Sequence, residues 1–385
     1  MKRLKLGMVG GGPGAFIGGV HRIATRMDNR FELVAGALSS HPEDAISSAK
    51  ALGIASDRAY TSYQQMAEQE GKLNDGIDAV AIVTPNFLHY PVAKSFLHAG
   101  ISVICDKPMT CTLEEALSLE QIAKDSGCLF ILTHNYSAYP LVRQAKQMIS
   151  DGQLGKLRLI QVEYAQDWLS TATELEGNKQ AEWRSDPKRN GPGGCLGDIA
   201  THAFHLASFM SGLKLAQVSA DLNTFVSGRK LDDNVNAMLR FEDNVKGLLW
   251  ASQVAPGNEN GLRIRIYGEK AGIEWEQENP NHLLFSPLGE ATQIITRAGN
   301  AYQGSADLVR TPGGHPEGYL EGFANIYFEV ADLITANLTG ESATQLQSTS
   351  LLPGTKDGVQ GLRFIEAVID SSTQDGKWVS VEPLS

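Results

Sequence analysis

Apolar and polar positions follow two different rhythms along this chain, and the rhythm changes near residue 136. Before that point, apolar runs at 4–10, 31–38, 78–84, 101–106 and 128–135 read as strands. The intervening stretches 20–27, 42–52, 92–99 and 113–125 carry helical spacing. Near-continuous apolar runs suit strands covered on both faces, and strands separated by helices predict a parallel sheet wound by right-handed crossovers. After that point, 139–152 reads as an amphipathic helix closed by Gly152. Strand-like segments with period-two character follow at 157–168, 216–227, 234–243, 246–255 and 262–269, which predicts a mostly antiparallel sheet. A Gly/Pro-rich loop covers 186–194, and helices at 319–338 and 359–371 close the chain.

Composition narrows the class. The 385 residues suffice for two buried cores, and 42% hydrophobic with 20% charged residues is ordinary for a folded soluble protein. A net charge of −11 argues against nucleic acid or an anionic membrane surface as the main partner. No run reaches the roughly 18 apolar residues of a membrane span. The N-terminus passes straight into a strand and a glycine turn, so no signal peptide is expected. Cys105, Cys111, Cys128 and Cys195 form no C-x-x-C pair, so neither a metal site nor a redox disulfide is expected. A reducing, cytoplasmic location is the corresponding expectation.

The first chemistry-bearing motif is Gly10-Gly11-Gly12-Pro13-Gly14-Ala15-Phe16-Ile17-Gly18, between a strand and a helix. Glycines there let the backbone approach a pyrophosphate, and the helix N-terminus supplies free N–H groups. Gly10 and Gly12 fit the dinucleotide fingerprint, while its third glycine is displaced to Gly18 by an insertion of about three residues. Ser39 and Ser40 stand where an acid commonly holds the adenosine ribose. Ser40-His41-Pro42-Glu43 reads as a capping box that starts the next helix. No Lys or Arg follows in this turn to hold a 2′-phosphate, which favours NAD and leaves NADP open.

From here the sequence resembles a known family. Thr84-Pro85-Asn86-Phe87-Leu88-His89, Asp106-Lys107-Pro108 and Gly197-Asp198-Ile199-Ala200-Thr201-His202 are similar, in order, to the T-P-N-x-x-H, E-K-P and G-D-x-x-x-H motifs of the Gfo/Idh/MocA oxidoreductases. The resemblance implies an α/β Rossmann domain, placed at 1–135, followed by an α+β domain with a large, mostly antiparallel open sheet, placed at 136–385. It implies a homodimer or homotetramer formed through that sheet, and hydride transfer at a hydroxyl carbon of a sugar or polyol. It places Gly10, Gly12, Gly14, Phe16, Ile17, Gly18, Ser39, Ser40, Thr84, Pro85, Asn86, His89, Asp106, Lys107 and Asn135 around the cofactor. Asp106 departs from the family's usual Glu, a shorter acid of equal charge.

Lys107 ends a buried strand, at the edge where open α/β sheets bind ligands, and a partly desolvated amine there suits contact with a reacting hydroxyl. Asp198 and His202 are four apart on an expected helix and share one face. A histidine suits proton removal from an alcohol as hydride leaves its carbon. By resemblance, Lys107, Asp198 and His202 are the catalytic positions; a dipole-capping Asp and a buried structural His are the alternative. Tyr136 reads equally as a second acid/base or as a packing aromatic. Trp183, Arg184 and Lys188 lie in a basic stretch before the catalytic motif, where they suit an anionic substituent or form a solvated loop with Arg184 paired to an acid. His315 and Tyr319 are further candidates for sugar contacts. A redox-neutral alternative also fits: transient oxidation followed by elimination and hydration would cleave a glycoside, including an anionic one.

Overall fold

The structure is a computed structural model that describes residues 3–12, 14–339 and 350–381. It opens with β1 (Leu4–Gly10), α1 (Phe16–Met27), β2 (Phe31–Ala37), α2 (Pro42–Ala51), α3 (Tyr63–Glu70), β3 (Ala79–Val83), α4 (His89–His98), β4 (Ser102–Cys105), α5 (Leu113–Ser126) and β5 (Phe130–Leu132). The five strands are parallel, in the order β2-β1-β3-β4-β5. Every residue of β3 is buried, as a strand covered on both faces requires. This is the Rossmann-type parallel sheet that the run-and-helix pattern predicts.

α1 starts at Phe16 and contains the 20–27 stretch, because the glycine turn passes directly into it. One local reading changes. The capping box does not form: Pro42 takes the first helical position, so His41 is the cap and makes no side-chain bond, while Ser39 Oγ accepts the His41 N–H at 3.1 Å. Ser40 stands one residue too early to cap, since a proline fixed at the helix start determines the frame. The short α3 was not legible as a helix, with apolar residues too few for a stripe. Its N-cap Ser62 accepts the Gln65 N–H, and its buried Glu70 is held by Arg58, by Tyr60 Oη at 2.8 Å and by the Ile77 N–H at 3.1 Å.

The second series comprises α6 (Pro140–Ser150), β6 (Leu157–Ala165), α7 (Lys179–Arg184), α8 (Pro187–Asn190), α9 (Thr201–Ser211), β7 (Leu215–Asn223), β8 (Asn234–Phe241), β9 (Lys246–Ser252), β10 (Gly261–Gly268), β11 (Ala271–Glu276), β12 (His282–Pro287) and β13 (Gln293–Thr296). Two long helices, α10 (Tyr319–Thr339) and α11 (Thr355–Thr373), and a short β14 (Val379–Ser380) complete it. The strands build one nine-stranded sheet, β13-β12-β11-β10-β6-β9-β8-β7-β14, antiparallel throughout except for the β6–β9 pair. β8 alternates buried and exposed residues, as expected when helices cover one face only. Strands β11 to β14 were not read from the sequence.

By its contacts the chain divides into two compact units, one of residues 1–135 with 319–359 and one of 136–318 with 360–385. The sequence reading leaves 319–359 with the second domain; by contacts it groups with 1–135, since α10 packs along α1 and its Tyr327 meets Phe31 of β2 edge-on at 5.6 Å. Among the described residues, no helix is long and apolar enough to cross a membrane.

Candidate active site

The first unit contributes a cradle at the carboxyl edge of its sheet. Gly11 takes φ 69°, in the left-handed region, and Gly18 of α1 lies directly against it. A Cβ on Gly18 would stand 2.4 Å from Gly11 Cα and 2.6 Å from Gly11 O, so only glycine permits this packing. The displaced third glycine is therefore the one that brings helix and turn together. Arg22 Nη1 donates to Gly11 O, and the Ala15 N–H to Gly12 O at 3.0 Å. Pro13 lies outside the described residues. Ala15 caps α1 without a side-chain bond, leaving the first-turn N–H groups available to an anion. Gly14 carries φ 85° beside this opening, and Phe16 is 68% exposed there, stacked on Tyr319 with centroids 6.3 Å apart. Ile17, next in α1, is half-buried.

The strand ends supply polar atoms. Thr84 Oγ1 after β3 and Asn135 Nδ2 after β5 are buried without a hydrogen-bond partner. Such orphaned groups are costly unless something pairs with them, and together with the cradle they fit a bound dinucleotide. Pro85 is half-buried and Asn86 buried in the turn between β3 and α4. His89 is wholly buried, with Nδ1 2.7 Å from Pro108 O and Nε2 3.0 Å from Thr84 O. Burial lowers the His89 pKa and favours the neutral ring, whose one N–H donates to one of these carbonyls, so His89 packs between the β3 turn and the Lys107–Pro108 turn. Lys107, half-buried, follows β4. Burial works against the charge on its neighbour Asp106, but the His21 imidazole and hydrogen bonds from His21 and Thr133 outweigh it and hold the carboxyl below the usual range.

The second unit holds the other group. Asp198 lies in a π-helical turn, Leu196–Ala200, that runs into α9. Such turns recur at functional sites because they re-aim side chains. Asp232 builds this one: its carboxylate accepts the Gly194 and Leu196 N–H groups, each at 2.7 Å, and its carbonyl accepts the Cys195 N–H at 2.9 Å. Asp198 Oδ2 accepts from Gln253 Nε2 at 2.9 Å and faces Arg184 Nε at 3.3 Å. His202, 9% exposed, meets Tyr136 edge-on with centroids 4.9 Å apart. Tyr136 Oη bonds Tyr164 Oη at 2.7 Å, Tyr164 donates to Asn260 Oδ1 at 2.7 Å, and Asn260 Nδ2 returns toward Tyr136 at 3.5 Å. Burial pushes the Tyr136 phenol up despite these bonds, so it stays protonated, and its ring supports His202 edge-on.

The basic stretch also resolves. Arg184 pairs with Asp198 and stacks 4.2 Å over Trp183, so the sequence reading of Arg184 as an anion receptor gives way to the paired alternative. Lys188 is exposed on α8. His315 is exposed in a loop that Arg297 ties down through Thr311 O at 2.9 Å, and Tyr319 belongs to the first unit against Phe16. His21, Asp232, Gln253 and Asn260 were missed. Their one sequence signal is a polar residue within or beside an apolar run, which by itself does not separate a functional group from a structural one.

Burial raises the Asp232 carboxyl to about 6, against the pull of the two N–H bonds. Its protonated form is thus favoured by folding. The stability this adds is full below the usual carboxylate range and is lost as pH rises toward about 6. The melting-temperature advantage of wild type over Asp232→Asn should therefore shrink between pH 4.5 and 6.5 and then level off; a gap that widens with pH contradicts this.

Comparison with known proteins agrees with both halves. Residues 4–134 match an oxidoreductase family with an NAD-binding Rossmann fold, and residues 142–274 match the Gfo/Idh/MocA C-terminal domain. An oxidoreductase from Sinorhizobium meliloti is 49% identical with TM-score 0.88, over 98% of this chain and 100% of that one. An inositol dehydrogenase homolog from Azotobacter vinelandii, solved with NAD+, is 34% identical with TM-score 0.94, over 98% and 97%. Levoglucosan dehydrogenase from Pseudarthrobacter phenanthrenivorans is 27% identical over the full length of both chains. Matched over both halves, this chain belongs to the Gfo/Idh/MocA family of NAD-binding oxidoreductases.

Proposed function

We propose that the protein transfers hydride between NAD and a hydroxyl carbon of a neutral sugar or polyol. The carrying observation is the second unit's group, a histidine seated on an aromatic ring beside an acid held by Gln253 and Arg184. Relatives named for inositol and levoglucosan support the substrate class. When bound, the nicotinamide accepts or returns the hydride. His202 takes the hydroxyl proton, Lys107 polarises the oxygen, and Asp198 orients the substrate. Asp198 Oδ2 accepts from Gln253 and faces Arg184, which fixes the carboxylate in place. Arg184 neutralises that acid rather than receiving an anion, which supports an uncharged substrate. Ser39 and Ser40 at the β2 end, with no Lys or Arg in the turn, support NAD over NADP.

The elimination reading needs an additional base, and Tyr136, a buried phenol held in a closed hydrogen-bond cycle, suits that role less than it suits a proton donor. Incubation with NAD and a panel of sugars, inositols, anhydrosugars and aryl glycosides tests the choice. NADH formation is expected with a neutral sugar or polyol; aglycone release without net NADH would favour the cleavage reaction instead. A homo-oligomer is proposed through the uncovered face of the nine-stranded sheet. Leu159, Met238, Leu248 and Tyr267 share that face by register and are each more than a third exposed. The four cysteines, all free thiols, suit a reducing compartment.

A further inference from the structure

Asp106 is the acid beside Lys107, and a row of buried donors is aimed at it. His21 Nε2 lies 3.0 Å from Asp106 Oδ1, and Thr133 Oγ1 donates to the same oxygen at 2.6 Å. A ring that donates from Nε2 has Nδ1 left to accept, and Tyr327 Oη lies 2.7 Å from it. His21 and Tyr327 are fully buried, with Phe323 4.9 Å from the imidazole. The row thus joins α10, α1 and the ends of β4 and β5 within one unit. Ordering three polar side chains around one carboxylate is expensive where a hydrophobic cluster would pack as well, so the placement of that charge needs a reason beyond folding.

The strand order supplies one. The pyrophosphate cradle follows β1, and the adenosine ribose belongs at the end of β2. The other half of the dinucleotide therefore extends over the ends of β3, β4 and β5, where Asp106 stands. The oxidised nicotinamide ring is a cation and the reduced ring is neutral, so a fixed negative charge nearby distinguishes the two.

We infer that His21 and Tyr327 are positioning residues that fix the Asp106 carboxylate at the carboxyl edge of the sheet, where its charge favours the oxidised nicotinamide over the reduced one. The inference rests on NAD occupying that edge. Its test is the pair of dissociation constants for NAD+ and NADH, measured by calorimetry on the intact chain. Asp106→Asn, which keeps shape and removes charge, should raise Kd for NAD+ relative to NADH by about tenfold. Tyr327→Phe and His21→Gln should move the ratio the same way, by about two- to fivefold, since the donor row weakens but the charge stays. A parallel fall in both affinities, or an unchanged ratio in Asp106→Asn, would overturn the inference and leave the row a packing device. If Asp106→Asn fails to fold, Tyr327→Phe decides alone, because loss of one hydroxyl keeps the ring packing. Failure of wild type to bind either form would instead remove the cofactor reading beneath it.

Discussion

His202→Ala lowers the single-turnover rate of hydride transfer by about two to four orders of magnitude and leaves the NAD dissociation constant within about threefold. The size follows from the chemistry. An alcohol cannot lose hydride to give a neutral carbonyl unless its proton leaves as well, and a positioned base contributes that much. The selectivity follows from the fold, since His202 is in the second unit and the glycine cradle in the first. Removing the imidazole also strips the Tyr136 edge of its partner at 4.9 Å, so some loss of stability accompanies the change. His202→Gln, which refills most of the volume, separates the two effects: the rate should stay low while the melting temperature recovers. A wild-type single-turnover rate in either variant would remove His202 from the proton step.

Gly18→Ala is the second large effect. It adds one methyl group, yet that methyl meets Gly11 backbone at 2.4 and 2.6 Å, and no flexible side chain can yield there. Either α1 slides along the sheet or the turn opens, and both change the surface that faces the pyrophosphate. The expected result is an NAD affinity at least about tenfold weaker, with a stability loss of roughly 2–4 kcal/mol. Gly19→Ala is the internal control. Its added methyl has open space, the nearest atom being Arg22 Nη2 at 3.9 Å, and it lies in the same helix. Replacing a mid-helix glycine by alanine should stabilise by about 0.5–1 kcal/mol, so Gly19→Ala should melt at or above wild type and bind NAD unchanged. Equal behaviour of the two variants would refute the close-packing argument.

The parallel sheet was legible because its strands are short apolar runs punctuated by helices, and that pattern has few solutions. The candidate catalytic groups were legible because they are polar residues at motif spacing next to such runs. Four strands of the second sheet, β11 to β14, were not: β12 and β13 are half-exposed, with Leu284, Phe285 and Ile294 open to some degree, so no clean alternation marks them, and β14 has only two residues. α3 escaped for a similar reason, its eight residues carrying few apolar positions. For His89 a motif position implies importance without specifying whether the side chain faces a ligand or the backbone. Tyr136 was left between two readings because a phenol's tendency to ionise depends on burial, which one-dimensional spacing does not encode.

The chain's own sequence determined the order of elements, the glycine turn with its displaced third glycine, and the identity of the lysine, acid and histidine that the reaction is proposed to use. Those features depend on local periodicity and on which residue types can do the chemistry, and both are written residue by residue. Only the tertiary structure decided what each polar group is spent on. It set His89 between the Pro108 and Thr84 carbonyls, and gave Arg184 to Asp198, Asp232 to the π-turn, and His21 with Tyr327 to Asp106. In the last of these, residues 21, 106 and 327 converge from three distant parts of the chain. A buried polar group must find a partner wherever folding places one, and that choice belongs to packing in three dimensions rather than to neighbours along the chain.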